Sequence, residues 1–118
     1  MMSKSKPAVF QGEIWMANLN PSIGREHAGL RPVVIVSGNM LNKHMPLVFA
    51  VPLTTKVKNY KGNPVLVPDE ENGLTKESEI LVFQIRTISQ HRLEKRIGKV
   101  QQHDVDQIIR TLNDLLTY

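Results

Sequence analysis

The sequence contains no cysteine, and this absence excludes several kinds of chemistry at once. Without thiols the chain has no disulfide, no thiolate nucleophile and no thiolate metal site, so only histidines and carboxylates remain as candidate metal ligands. The four histidines, at positions 27, 44, 91 and 103, do not show the spacing of zinc sites. We therefore expect neither a metal centre nor a cofactor.

Long apolar runs are also missing. No run approaches the ~20 residues of a membrane-spanning helix, and residues 1–6 are not followed by the apolar stretch of a secretory signal. A cytoplasmic location without membrane contact is the resulting expectation. The 118 residues, of which 41% are hydrophobic and 22% charged, fit one globular domain. We assign residues 1–9 to a flexible N-terminal tail and residues 10–118 to a single domain.

Acidic residues are outnumbered by basic ones, 11 against 15, which gives a net charge of +4. This balance modestly favours polyanionic partners. The basic residues are also clustered, one group following a threonine pair (Lys56, Lys58 and Lys61) and the other falling between residues 86 and 99 (Arg86, Arg92, Lys95, Arg96 and Lys99). Either group alone is typical of solvated surface. Their position beside the ends of predicted strands favours an RNA- or DNA-binding groove.

Apolar and alternating segments predict strands over residues 13–17, 31–37, 47–54, 63–67, 79–88 and 96–100. The single tryptophan, Trp15, lies in the first of them and is expected in the core. Pro52 cannot donate to a ladder, so its strand is expected to lie at an edge or to carry a bulge. Residues 39–43 are expected to form a short helical turn.

The C-terminal segment changes to a helical period. Its apolar residues recur at helical spacing (Val105, Ile108, Ile109, Leu112, Leu115 and Leu116). Asp104 is the expected N-cap, with Gln107 as its capping-box partner. This amphipathic helix is expected to cover the core, although its apolar side could instead bind a partner. Short strands with one covering helix predict an α+β fold, a small and strongly twisted β-barrel.

Three polar clusters lie at the ends of the predicted strands. The first is the charged turn over residues 24–31, where a following proline holds Arg31 extended at the start of an apolar strand. The second is Thr54-Thr55. The third is Gln84-Ile85-Arg86-Thr87, whose alternation puts its first and third side chains on one face. We expect the three clusters to converge on one groove.

Together with Gly12-Glu13-Ile14-Trp15, which leads into Asn20-Pro21, these clusters resemble the MazF/PemK/Kid family of toxin endoribonucleases. The resemblance covers roughly residues 10 to 118. It implies an SH3-like barrel of the type found in CcdB and PemK toxins, and a homodimer with paired grooves. It also implies single-stranded RNA as substrate and a cognate antitoxin whose acidic tail crosses the groove.

The resemblance also implies which residues act. The arginine of the Arg-Pro pair and the threonine that ends the third strand, Arg31 and Thr54, match the family's catalytic residues. Gln84 matches an amide that supports the site, and Glu26 matches an acidic residue expected to orient Arg31 through an ion pair. The candidate RNA-binding residues, taken from the motifs and the basic clusters, are Arg25, His27, Thr55, Lys56, Lys58 and Arg86. The alternative for Gln84 and Arg86 is that they merely face water.

These residue types suit RNA cleavage without a metal. Attack of a ribose 2′-hydroxyl on the adjacent phosphorus gives a cyclic phosphate and a free 5′-hydroxyl, through a transition state that needs charge stabilisation and proton transfer. The Arg31 guanidinium fits phosphate oxygens bidentately, and the Thr54 hydroxyl can donate to them. Because the pKa of arginine is about 12.5–13.8, we interpret Arg31 as a clamp and an acid rather than as a base.

His27 departs from the family, which commonly carries glutamine or another amide at this position. It either adds general-base capacity, or stacks on a nucleobase and alters sequence choice, or is an ordinary solvated loop residue. Two other functions compete with the main one. A CcdB-like topoisomerase poison would need no Arg31–Thr54 pair, and a plain nucleic-acid-binding barrel would leave Thr54 and the charged turn unexplained.

Overall fold

The computed structural model of the chain describes residues 7–19 and 29–118. Within these residues the strands are β1 (Glu13–Asn18), β2 (Leu30–Ile35), β3 (Leu47–Thr54), β4 (Val65–Leu66), β5 (Ser78–Ile80), β6 (Arg86–Ser89) and β7 (Leu93–Lys99). The helices are α1 (Asn39–His44) and α2 (Gln102–Thr117), with single 3₁₀ turns at Val82–Gln84 and Gln90–Arg92. No helix in this part of the chain is long and apolar enough to cross a membrane.

The strands form one antiparallel sheet in the order β4-β5-β3-β2-β1-β7, and β6 also pairs with β3. Register shifts between β1 and β7 after Ile14 and after Met16 mark irregularities that increase the local twist. With α2 as its covering helix, the curled sheet confirms the predicted α+β fold, a small twisted barrel.

The sheet buries apolar side chains on both faces because alternate residues of a strand point to opposite sides. The larger cluster packs under α2 (Ile14, Val34, Val36, Val51, Leu53, Leu66, Ile80, Val82, Val100, Val105 and Ile108). The smaller cluster lies on the opposite face (Val9, Trp15, Ala17, Val33, Ile35, Val48, Ala50 and Ile88). Trp15 is 5% exposed, as its predicted core position requires. Val9 is buried here too, and the assignment of residues 1–9 to a tail stays a prediction.

Helix α2 covers the core as predicted, but it begins earlier than expected. Its N-cap is Gln101, whose backbone N–H donates to the Asp104 carboxylate at 3.2 Å, so Asp104 is the capping-box partner and not the cap. Val105 and Ile108 are buried and Leu112 packs against them. The rest of the predicted apolar stripe, Ile109, Leu115 and Leu116, is exposed, so only a narrow side of the helix enters the core.

The predicted strand over residues 79–88 is wrong in its middle. The chain pairs with β3 along β5, leaves the ladder through the 3₁₀ turn Val82–Gln84 and rejoins β3 as β6. The predicted strand at 63–67 shortens to β4. Asn63 closes the preceding turn, its N–H donating to the Tyr60 carbonyl at 3.1 Å, and Pro64 has no N–H to donate to a ladder, although its carbonyl accepts from the Ile80 N–H at 2.9 Å.

The break between β5 and β6, which both pair with β3, also bears on the expectation for Pro52. Strand β3 is interior, with β2 on one side and β5 and β6 on the other, so Pro52 does not lie on an edge. The irregularity expected at this position falls on the paired strand, where residues 81–85 lie between the pairings of β5 and β6 with β3. The Pro52 carbonyl accepts from the Leu81 N–H at 2.9 Å, on the side where the partner chain leaves the ladder. In an extended strand the N–H and C=O of one residue point to the same side. The backbone nitrogen of Pro52, which has no hydrogen to donate, therefore faces the gap between β5 and β6.

Candidate active site

A surface cavity of about 330 Å³ opens at the end of the sheet where β2 and β3 diverge. Four residues predicted from the sequence line it: Arg31, Thr54, Gln84 and Arg86. The remaining lining comes from apolar residues at strand ends (Leu19, Pro52, Leu53 and Leu81). The structure thus brings together residues from all three polar clusters, which lie 23 to 55 positions apart in the chain.

The β2–β3 ladder places Arg31 and Thr54 as neighbours. Val33 pairs with Pro52 in the last register pair between the two strands. Arg31 lies two residues before Val33, and Thr54 lies two residues after Pro52. Since side chains two residues apart share a face, both project on the face of the smaller apolar cluster, just beyond its end. Arg31 is exposed and Thr54 is half-buried, so both can reach a ligand in the cavity.

Gln84 and Arg86 reach the cavity from two different elements. Gln84 ends the 3₁₀ turn, whereas Arg86 begins β6 and pairs with Ala50, on the same face as Thr54. The prediction that both lie on one face of a single strand is therefore wrong. Both side chains are exposed, which leaves them available to a ligand.

The Thr54 hydroxyl is held by the turn that follows β3. Its Oγ1 accepts from the Lys56 backbone N–H at 3.1 Å. This bond uses an acceptor lone pair and leaves the hydroxyl proton available for donation, since a hydroxyl has one donor and two acceptor sites. Thr55, Lys56 and Lys58 lie exposed on this turn and the loop beyond it, outside the lining of the cavity.

A buried carboxylate that sequence reasoning missed lies under the same loop. Glu79 pairs with Thr54 across the β3–β5 ladder and is fully buried. Its oxygens accept from the backbone N–H groups of the loop, Lys58 at 2.7 Å, Asn59 at 2.9 Å and Tyr60 at 3.0 Å, and from the Asn63 amide at 2.8 Å. Burial acts to raise the pKa of Glu79, but these donors stabilise the anion and the pKa is lowered overall. The only sequence signal was a carboxylate at the start of the predicted strand over residues 79–88.

One member of the second basic cluster has a structural role. The Arg96 guanidinium donates from Nε to Glu13 at 2.9 Å, and the other oxygen of Glu13 accepts from the Trp15 indole at 3.0 Å. Glu13 is 8% exposed, so Arg96 neutralises a nearly buried carboxylate on the neighbouring strand. The charge of Arg96 therefore belongs to the packing of β1 against β7, and the second basic cluster is less available to nucleic acid than expected.

Arg25, Glu26 and His27 lie outside the described residues, as does most of the charged turn. The ion pair between Glu26 and Arg31 and the RNA contacts of Arg25 and His27 stay predictions. Among the residues that are described, no group of three or more histidine, aspartate or glutamate side chains could hold a metal ion.

Comparison with known proteins decides the family. Residues 10–116 match the model of the PemK-like, MazF-like toxins of type II toxin-antitoxin systems. The chain belongs to this family. Among curated relatives it is similar to the endoribonuclease MazF of Staphylococcus saprophyticus, at 34% identity over 83% of this chain and 82% of the relative. It is also similar to the endoribonuclease EndoA of Bacillus subtilis, at 29% identity over 88% of this chain and 90% of the relative.

Solved structures agree with the family assignment. A mycobacterial endoribonuclease in complex with its cognate antitoxin superposes with a TM-score of 0.70 at 25% identity, covering 94% of this chain and 95% of that one. MazF from Deinococcus radiodurans, at 21% identity, shows the same fold with a TM-score of 0.78 over 96% of this chain and 100% of its own. The family predicted from the sequence motifs is confirmed.

Proposed function

We propose that this toxin is an endoribonuclease that cuts single-stranded RNA, including mRNA, at selected sequences and thereby inhibits translation and growth. The family match and two relatives named as endoribonucleases support this function. The observation that carries it is that Arg31, Thr54, Gln84 and Arg86 all line one cavity. This set offers two guanidinium groups, a hydroxyl and an amide, which suits a phosphodiester better than an uncharged substrate.

Arg31 and Thr54 act on the reacting phosphate in this proposal. The 2′-oxygen loses its proton and forms a bond to phosphorus, the bond from phosphorus to the 5′-oxygen breaks, and that oxygen takes up a proton. Arg31 clamps the phosphate oxygens, whose negative charge increases in the transition state, and as the acid it donates the proton that the leaving 5′-oxygen takes up. Thr54 donates its free hydroxyl proton to the same oxygens. Glu26 is assigned to orienting Arg31 through an ion pair, and His27, the residue at which this chain departs from its family, is the side chain of the charged turn that could accept the 2′ proton.

Gln84 and Arg86 support and bind the substrate beside the reacting phosphate. Gln84 supplies both a donor and an acceptor to the cavity, and Arg86 adds a positive charge to it. The exposed loop after β3 extends the positive surface through Lys56 and Lys58, where the RNA backbone can continue. Recognition through unpaired bases fits the way proteins read RNA sequence, which is chiefly in single strands.

We also propose that this toxin forms a homodimer and that a cognate antitoxin binds it. The toxin acts on mRNA in the cytoplasm. A mycobacterial neighbour is solved in complex with its own antitoxin, which supports the antitoxin as a partner. An acidic tail that competes with RNA for the positive cavity would inhibit the toxin without any change in its fold.

The test is incubation of the purified protein with a long mixed-sequence RNA in excess EDTA, followed by mapping of the cut ends. We expect cuts at a limited set of sequences, leaving 2′,3′-cyclic phosphates and 5′-hydroxyl groups. RNA carrying a 2′-methoxy group at the cut position should resist, because its 2′-oxygen cannot attack. Cleavage of that blocked RNA at an unchanged rate would show that an external nucleophile attacks, and a lack of cleavage by folded protein would favour a non-catalytic toxin.

A further inference from the structure

Two exposed aromatic rings meet on the surface, and one of them precedes a cavity residue in the chain. Tyr60 and Phe83 pack edge to face, with ring centroids 6.2 Å apart and planes at 83°. Both residues remain about half exposed, at 52% and 53%. Phe83 directly precedes Gln84, which lines the cavity. Large aromatic side chains exposed next to a charged cavity are candidates for ligand contact.

One network of hydrogen bonds fixes the two backbone segments that carry the rings. The Glu79 carboxylate accepts from the Tyr60 backbone N–H at 3.0 Å and from the Asn63 side-chain amide at 2.8 Å. The other end of that amide accepts from the backbone N–H of Val82 at 3.2 Å, in the 3₁₀ turn that carries Phe83. The loop of Tyr60 and the turn of Phe83 are therefore fixed to each other through two polar side chains.

Helix α2 holds the far end of the same loop. The Thr111 hydroxyl donates to the Gly62 carbonyl at 2.7 Å. Gly62 has a φ of +94°, and a Cβ at this position would lie 2.9 Å from the Thr111 methyl, so only glycine allows this approach without strain. A loop fixed at both ends loses little conformational entropy when a ligand binds to it.

We propose that Tyr60 and Phe83 form a stacking platform for an unpaired base of the RNA substrate, next to the reacting phosphate. This inference rests on the proposed function and names residues that help to select the substrate. An RNA strand offers both things that the surface can bind, a phosphate for the arginines of the cavity and a flat base for the rings. Lys58 and Lys61 flank Tyr60 in the loop, and their charge favours the polyanionic strand.

The test compares Phe83→Leu with Phe83→Trp. Leucine keeps an apolar side chain but has no π face, whereas tryptophan keeps the face. Binding is measured by fluorescence anisotropy on a mixed-sequence single-stranded RNA with 2′-methoxy groups throughout, at several salt concentrations. We expect Phe83→Leu to raise the Kd by about 5- to 150-fold, which corresponds to ~1–3 kcal/mol of stacking. Phe83→Trp should keep the wild-type affinity. The salt dependence of both should match the wild type, whereas Lys58→Ala should reduce its slope by about 1.

A matched control is Phe10→Leu, the same change at another half-exposed phenylalanine, which lines a separate cavity and should leave Kd unchanged. An RNA affinity of folded Phe83→Leu equal to that of the wild type would overturn the platform. The platform would also be overturned if Phe83→Leu weakened only the binding of a synthetic acidic peptide that carries leucine and tryptophan. The rings would then be a contact for the antitoxin. If Phe83→Leu does not fold, Tyr60→Leu makes the same test. Wild-type cleavage is assayed separately, so failure of the proposed function and failure of the platform give different results.

Discussion

Thr54 and Glu79 are register partners across the β3–β5 ladder, one half-exposed in the cavity and the other fully buried beneath the loop that follows. Thr54 is the last residue of β3 and a proposed catalytic residue. Its partner Glu79 carries the carboxylate that holds the loop after this strand. Four donors converge on that carboxylate. Three successive backbone N–H groups of the loop, from Lys58 to Tyr60, are thus bonded to one side chain.

Replacing the carboxylate should therefore be costly. We expect Glu79→Ala to lower the free energy of unfolding by about 3 kcal/mol or more, because it leaves several loop donors without an acceptor and opens a cavity. Urea unfolding followed by circular dichroism measures the change. A loss below about 0.5 kcal/mol would mean that water replaces the carboxylate at little cost. Glu77→Ala, a change at an exposed glutamate two residues away, is the matched control.

The lowered pKa of Glu79 gives stability a defined pH dependence. Since the folded-state pKa lies below its ordinary value of 4.5, the unfolded chain takes up the proton first as pH falls. The contribution of Glu79 is present in full above about 4.5 and is lost as pH falls from there through the folded-state pKa. Urea unfolding of the wild type and of Glu79→Gln between pH 3 and 7 should show a shallower acid loss in the variant. Parallel curves would contradict this role.

Thr54 should act through its hydroxyl and not through its shape. We expect Thr54→Val, which keeps the branched side chain, to lower the cleavage rate by about 10²–10³-fold, the usual effect of losing one transition-state donor. Thr54→Ser should restore most of the rate. Single-turnover cleavage of one mapped RNA provides the measurement. Equal rates for the valine and serine variants would assign Thr54 to packing.

His27 tests how this chain differs from its family. We expect His27→Gln to shift cleavage preference among related RNA sequences while leaving the pH profile intact, since the amide common at this position supports catalysis in similar proteins. A pH–rate series on wild type and variant, with two RNA sequences, separates the alternatives. Loss of the pH dependence between about 5 and 8 would instead identify His27 as a general base. No change in either property would make it an ordinary loop residue.

Strand β3 was predicted with its observed bounds, and the break between β5 and β6 was not. Apolar residues continue from Ile80 to Val82 without glycine or proline, so no local signal ends the strand. The 3₁₀ turn is set by tertiary contacts, because Val82 packs into the core and its N–H donates to Asn63, 19 residues earlier. Local patterns cannot report bonds of that kind.

The same limit applies to the site. Arg31, Thr54, Gln84 and Arg86 were found because the motifs around them carry a family resemblance, and the structure places all four at one cavity. Glu79 was missed because the groups that donate hydrogen bonds to its carboxylate lie 16 to 21 residues away in the sequence. The structural role of Arg96 was missed for the same reason, since its partner Glu13 lies 83 residues earlier.

The most direct test of the account is the single-turnover cleavage rate of folded Arg31→Ala in EDTA, compared with the wild type on one mapped RNA. Removing the guanidinium removes the principal stabilisation of the transition-state phosphate, and a fall of at least about 10²–10³-fold is predicted. Arg31 is exposed, so the thermal unfolding midpoint should stay close to that of the wild type. Cleavage by the folded variant within a few-fold of the wild-type rate would contradict the proposed site.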